Sequence, residues 1–234
     1  SYVKATLDSG LQCFILEKPL YKSAYAIFGT KYGSIDTAFS VDGIKTEVPE
    51  GIAHFLEHKL FESEDGDAFT KFAKTGAYAN AFTSFDKTCY LFSCSDNFYE
   101  NLNILLDFVQ SPYFTKETVE KEQGIIGQEI RMYDDSPGWR VMFNMLMSMY
   151  HNHPVRIDIA GTVESIAKID YNLLFRCYNT FYNPSNMFIC IAGNVDTDTC
   201  LKQIEESIKP SNTIELIRIT AEEPYNVVKN YTEQ

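Results

Sequence analysis

Apolar and polar residues alternate in short runs at residues 11–17, 24–31, 36–41, 78–85 and 87–94, the period-two pattern of strands with one buried side. Elsewhere apolar residues return every three or four positions, the spacing of helices that bury one face. Helices are predicted over residues 50–61, over 67–74 with Gly76 as the stop, and from an Asp96 cap to about residue 110, before Pro112. Four more follow: 115–133 behind a Thr115 cap, 137–150, 162–168, and 171–182 entered through Asp170. A strand at 186–192 and a helix at 197–208 complete the series. Strands and helices are segregated in this order, which predicts an α+β fold, a mostly antiparallel sheet with helices packed on one face. Tyr78, Phe85, Phe92, Phe108, Trp139 and the run from Met142 to Met149 are assigned to the core.

Composition narrows the function classes. With 234 residues, 45% of them hydrophobic, the chain can bury a substantial core in one large domain or two closely packed lobes. A net charge of -12 and a pI ≈ 4.8 speak against a nucleic-acid partner, since phosphate binding needs clustered Lys and Arg and no such cluster occurs. The six cysteines, at 13, 89, 94, 177, 190 and 200, form no Cys-x-x-Cys pair and read as small buried apolar residues in a reducing, cytoplasmic setting. No basic-then-apolar leader and no long apolar span is visible, so no membrane partner is expected.

The chemistry concentrates in His54-Phe55-Leu56-Glu57-His58. On a helix, positions 54, 57 and 58 fall within roughly a third of the circumference, so two imidazoles and a carboxylate leave from one face. Neutral imidazole is the commonest zinc donor, and Glu57 is placed to act as a base toward water at such a metal. The order His-x-x-Glu-His inverts that of the commoner zinc peptidases. Catalytic zinc takes three protein ligands, so a third donor must come from elsewhere. Glu122 and Glu129, seven apart on the predicted 115–133 helix, share a stripe; one can ligate while the other supports. His151 and His153 form a rival pair, but residues flanking a loop before Pro154 more often cap helix ends.

These segments resemble the pitrilysin or insulinase zinc metallopeptidases, the inverzincins that include mitochondrial processing peptidase. The resemblance implies that family's metallohydrolase fold, shared with the LuxS lyases. It implies a metal site of His54, His58 and Glu129, with Glu57 as the base and Glu122 in support. The run Asn80-Ala81-Phe82-Thr83-Ser84-Phe85-Asp86-Lys87-Thr88-Cys89-Tyr90 looks like the family's strand pair beside the metal, so Asn80, Ala81 and Phe82 are expected to bind extended substrate. Residues Gly51 to Phe61 and Ile159-Ala160-Gly161-Thr162 look like a bacterial branch of paired peptidases linked to elongation factor P modification.

Family members are built from two similar halves, of which only the first carries zinc. Residues 1–210 are accordingly expected to be the zinc-binding catalytic domain and 211–234 a linker, with Glu222 to Tyr231 as its extended connector toward a missing C-terminal half. That half, on the same chain or a homologous partner, supplies an arginine and a tyrosine in the family. The 234-residue chain is therefore expected to bind zinc and to cleave peptides or unfolded polypeptides poorly by itself. Two alternatives stay open: a non-catalytic or partner-dependent subunit of a heterodimeric processing peptidase, and an S-ribosylhomocysteine lyase-like zinc enzyme, which takes a cysteine as third ligand.

Overall fold

A computed structural model describes residues 1–64, 66–212 and 214–224. The amino-terminal elements are β1 (Val3–Thr6), β2 (Gln12–Glu17), β3 (Ala24–Thr30), β4 (Ala38–Val41) and β5 (Ile44–Glu47). Helix α1 (Ile52–Leu60) leads into the two-residue strands β6 (Glu62–Ser63) and β7 (Gly66–Asp67), then α2 (Ala68–Thr75), β8 (Tyr78–Thr83) and β9 (Thr88–Cys94). Helices α3 (Phe98–Val109), α4 (Lys116–Asp134), α5 (Pro137–Met149), α6 (Val163–Ile166) and α7 (Tyr171–Phe181) follow. Strand β10 (Met187–Gly193), α8 (Thr197–Ser207) and β11 (Leu216–Arg218) end the described chain.

Six strands form the main sheet in the order β1-β2-β10-β3-β9-β8, and every adjacent pair is antiparallel except β10 with β2. The α+β reading holds. On β10, Met187, Ile189 and Ile191 are buried while Phe188, Cys190 and Ala192 on the other side stay half-exposed, as expected when helices cover one face. Helices α1, α2 and α3 lie over the β9 and β8 end, and α8 over β2. Their shared core includes Phe55, Leu56, Phe72, Tyr90, Phe92 and Leu106. Tyr90 is satisfied there by a hydroxyl contact of 2.8 Å with Tyr182, as a buried phenol requires.

Several local expectations need correction. The alternating run at 36–41 is not part of the main sheet; β4 pairs with β5 and β11 in a separate three-stranded sheet. Alternation reports a half-buried strand but not which sheet it joins. The helix expected behind Asp96 is instead entered through Asn97, at φ 57 and without a side-chain cap bond, a conformation that asparagine tolerates. Helix α6 is one turn only. Thr115 and Asp170 do cap α4 and α7, and Gly76 closes α2 in the left-handed region. Of the segment read as a linker, Leu216–Arg218 forms β11, and Arg218 Nε donates to Asp36 Oδ1 at 2.8 Å. Residues 225–231 of the expected connector lie outside the described residues.

One glycine sets the position of α1. Gly51 caps it at φ 87, where a β-carbon would collide with the carbonyl of Ala160. The start of α1 is thus seated directly on the loop before α6.

Candidate metal centre

Helix α1 buries Ile52, Phe55, Leu56 and Leu60, which turns the remaining side, with His54, Glu57 and His58, toward α4 and the β8 edge. Helix α4 runs alongside and brings Glu122 and Glu129, two turns apart, to the two histidines. His54 Nε2 lies 3.2 Å from His58 Nε2 and 3.8 Å from Glu129 Oε1, and His58 Nε2 lies 3.4 Å from Glu129 Oε2. A tetrahedral zinc with bonds near 2.0–2.1 Å needs donors about 3.3 Å apart. The three residues therefore fit a divalent ion without rearrangement of the backbone, and among the described residues they are the one such cluster.

Glu122 sits on the opposite side of the His58 ring, where Nδ1 donates to its Oε1 at 2.9 Å. It is 8% exposed, not the solvated helix carboxylate that a Glu-rich segment suggests, and it does not line the cleft. Its bond turns Nε2 toward the cluster. His54 Nδ1 has no comparable partner among the described groups, so that ring is held by packing and by its Nε2 contacts in the cluster.

Electrostatics of the metal-free site follow from burial. Desolvation, reinforced by the neighbouring His58, holds His54 down to about 4. Desolvation opposes charge on His58 as well, yet hydrogen bonds to Glu122 and Glu129 outweigh it and push the ring up to about 10. The bond from His58 in turn holds Glu129 down to about 2 against desolvation. One proton, on His58, thus occupies the place where a cation neutralises the acids. Burial raises Glu57, opposed by the hydroxyl of Thr83, which donates to Glu57 Oε2 at 2.6 Å.

A cleft of ≈ 220 Å³ opens over these groups. Ala81 and Phe82 line it from β8, the terminal strand of the sheet, together with Thr83. Asn80 does not line it; its Oδ1 accepts the N–H of Ala81 at 2.9 Å, which blunts an otherwise open edge. Tyr133, Trp139 and Asp158 form the facing wall, with Trp139 stacked on Tyr133 at 4.7 Å and its indole N–H donating to Asp158. Trp139 was expected in the core but is only half-buried here. Tyr133, four residues beyond Glu129 on one helix face, was detectable from that spacing. Thr83 and Asp158 carried no local signal.

The rival pair does not assemble. His153 Nδ1 accepts the N–H of Val155 at 3.1 Å, a capping role, and the pair joins no metal-binding group among the described residues. None of the cysteines lines the cleft, so the thiolate expected of a lyase-like site has no source among the described residues.

Residues 44–163 match the insulinase family, peptidase family M16, and residues 168–233 match the peptidase M16 inactive domain. This chain belongs to the M16 family. It is 58% identical over 204 residues to the uncharacterized zinc protease YmfH of Bacillus subtilis, covering 86% of this chain and 47% of that protein. A second zinc protease of the same organism, YmxG, is 32% identical over 70% of this chain and 42% of its own length. The crystal structure of an M16-like peptidase from Alicyclobacillus acidocaldarius superposes with a TM-score of 0.92 at 47% identity, over 96% of this chain and 54% of the other. Pitrilysin shares the fold at a TM-score of 0.74 and 18% identity, over 88% of this chain and 22% of its own. The chain thus spans about half the length of the curated relatives it matches. Among the described residues no helix is long and apolar enough to cross a membrane.

Proposed function

We propose that this chain is the metal-bearing half of a zinc-dependent endopeptidase that hydrolyses peptides or unfolded polypeptides. The observation that carries the reading is the triangle of His54 Nε2, His58 Nε2 and a Glu129 oxygen, spaced as one ion requires, with the carboxylate of Glu57 in the same cleft. Bound there, zinc supplies a Lewis acid for a peptide carbonyl and acidifies a water molecule.

The chain's own groups do the rest. Glu57, raised by burial, takes a proton from the attacking water and returns it to the departing amine. Thr83 holds one Glu57 oxygen and leaves the other directed at the cleft. An extended substrate pairs with the β8 edge, exchanging the side-chain oxygen of Asn80 for a substrate carbonyl at the Ala81 N–H. Ala81 and Phe82 then set the scissile bond beside the cluster. Glu122 keeps His58 in register.

Among the described residues no lysine or arginine lines the cleft. A cationic side chain beside the developing oxyanion would come from another half, which favours a partner-dependent enzyme over a self-sufficient one. The unpaired cysteines agree with a reducing compartment such as the cytoplasm. The test joins the chain to the part of the Bacillus subtilis relative that it does not match and compares wild type with Glu57→Gln. Zinc content is expected to be equal, while cleavage of a peptide library falls by about 10²–10⁴. Equal cleavage, or a wild type that binds no zinc, would sink the proposal.

A further inference from the structure

Helix α5 breaks the rule that apolar residues go inside. Of its thirteen residues only Phe143 is buried. Val141, Met145 and Met149, at positions i, i+4 and i+8 and hence on one face, are 69%, 52% and 64% exposed. Scattered exposed apolar residues are ordinary, but a row on one helix face marks a contact surface, and flexible methionine is a residue of choice there. The same helix turns Trp139 to the cleft wall and Phe143 inward, so the exposed row lies on its other side, away from the metal centre.

The path of the chain points to what covers it. The backbone N–H groups of His151 and Asn152, just beyond the end of α5, each donate to a Glu223 carboxylate oxygen at 2.7 Å, and His153 N–H donates as well. Asn152 Nδ2 adds a bond to the Glu222 carbonyl at 2.8 Å. Successive amides converging on one carboxylate make an anion-binding nest. It fixes the last described stretch of chain against the carboxyl end of α5. Whatever follows residue 224 sets out from there. Relatives carry about as much chain again as is present here, since this chain covers 47% of YmfH and 54% of the Alicyclobacillus peptidase.

We propose that the Val141, Met145 and Met149 face of α5 seats the second half carried by such relatives, and that the clip of Glu223 onto residues 151–153 delivers the connecting chain to it. This rests on the partner-dependent reading above but uses none of the metal ligands. Docking on this face holds the second half against the helix that supplies Trp139 to the cleft wall from its other side.

The experiment is a methionine footprint with hydrogen peroxide, read by mass spectrometry. It compares the 234-residue chain with residues 1–224 continued into the unmatched part of YmfH. Met145 and Met149 are expected to oxidise about tenfold more slowly in the longer protein. Buried Met187, 2% exposed, stays slow in both and reports that the first half is folded. Equal rates at Met145 and Met149 with Met187 still protected overturn the proposal. If Met187 loses protection in the fusion, the two pieces are mixed as separate polypeptides, and unchanged Met145 and Met149 rates at saturation overturn it too. Protection that rises with concentration of the lone chain assigns the face to a second copy and also refutes it. Glu223→Lys is expected to restore part of the Met149 rate in the longer protein. Zinc content, measured on the same samples, reports separately on the peptidase reading.

Discussion

Helices α4 and α5 are neighbours joined by a short turn, yet they invert each other's logic. Helix α4 is rich in charge, and it carries Glu122 into a buried position and Glu129 into a half-buried one. Helix α5 is rich in apolar residues and leaves most of them in water. A buried carboxylate is tolerable because His58 satisfies Glu122 and two imidazoles face Glu129. An exposed apolar row has no such compensation among the described residues. Among the described residues, the polar groups of one helix are matched and the apolar row of the other is not.

The largest effect expected from breaking this contrast comes from emptying the site. A ligand that binds only the folded state at a hundredfold over its dissociation constant adds about 2.7 kcal/mol. Chelation should therefore lower the thermal midpoint by about 5–10 °C. Glu129→Gln should abolish both the zinc and that shift, as read by calorimetry with and without chelator. A Glu129→Gln protein that keeps zinc would remove α4 from the site.

Next in size is Glu122→Gln. With His58 less firmly oriented, zinc affinity should fall by about 10–100-fold, measured by competition with a chromophoric chelator. Unchanged affinity would return Glu122 to a purely structural role.

Proton linkage sharpens the same picture. The His54 pKa is depressed from 6.5 to about 4, so its contribution to stability is present above 6.5 and lost as pH falls toward 4. The His58 pKa is raised from 6.5 to about 10, so its contribution is full below 6.5 and lost as pH rises toward 10. Glu129 adds a further loss as pH falls from 4.5 toward 2. The metal-free chain should be most stable near pH 6.5, and zinc binding at neutral pH should release about one proton as His58 becomes a neutral ligand. Titration calorimetry in buffers of different ionisation enthalpy measures that proton; a release of none would contradict the charge placed on His58.

The smallest effect belongs to the exposed face of α5. Met145→Glu in the lone chain should change stability by no more than about 0.5 kcal/mol, because nothing in the described chain covers that face. Phe143→Ala, two residues away on the opposite, buried side, should cost about 3–5 kcal/mol. Comparable losses from both substitutions in thermal melts would mean that α5 is already packed on all sides.

Much of this molecule was legible along the chain. The motif at 54–58 and the pair at 122 and 129 show themselves because a helix repeats its azimuth, so spacing alone brings those groups to shared faces. The Thr115 and Asp170 caps are likewise short-range chemistry. The strand at 36–41 was legible, but not its sheet, because one partner, at 216–218, is chosen by long-range pairing that alternation does not encode. Trp139 and the methionine run were misassigned to the core because an apolar stripe looks the same whether its own domain or another covers it.

Residue order was enough for the donor types, for the helix faces that present them and for the edge-strand candidate, since these depend on contacts within a few turns of backbone. The meeting of α1 with α4, the hold of Thr83 on Glu57, and the nest that captures Glu223 join residues 26 to 72 positions apart. Those contacts exist only because a folded core carries distant segments to one place, and no local spacing can reveal them.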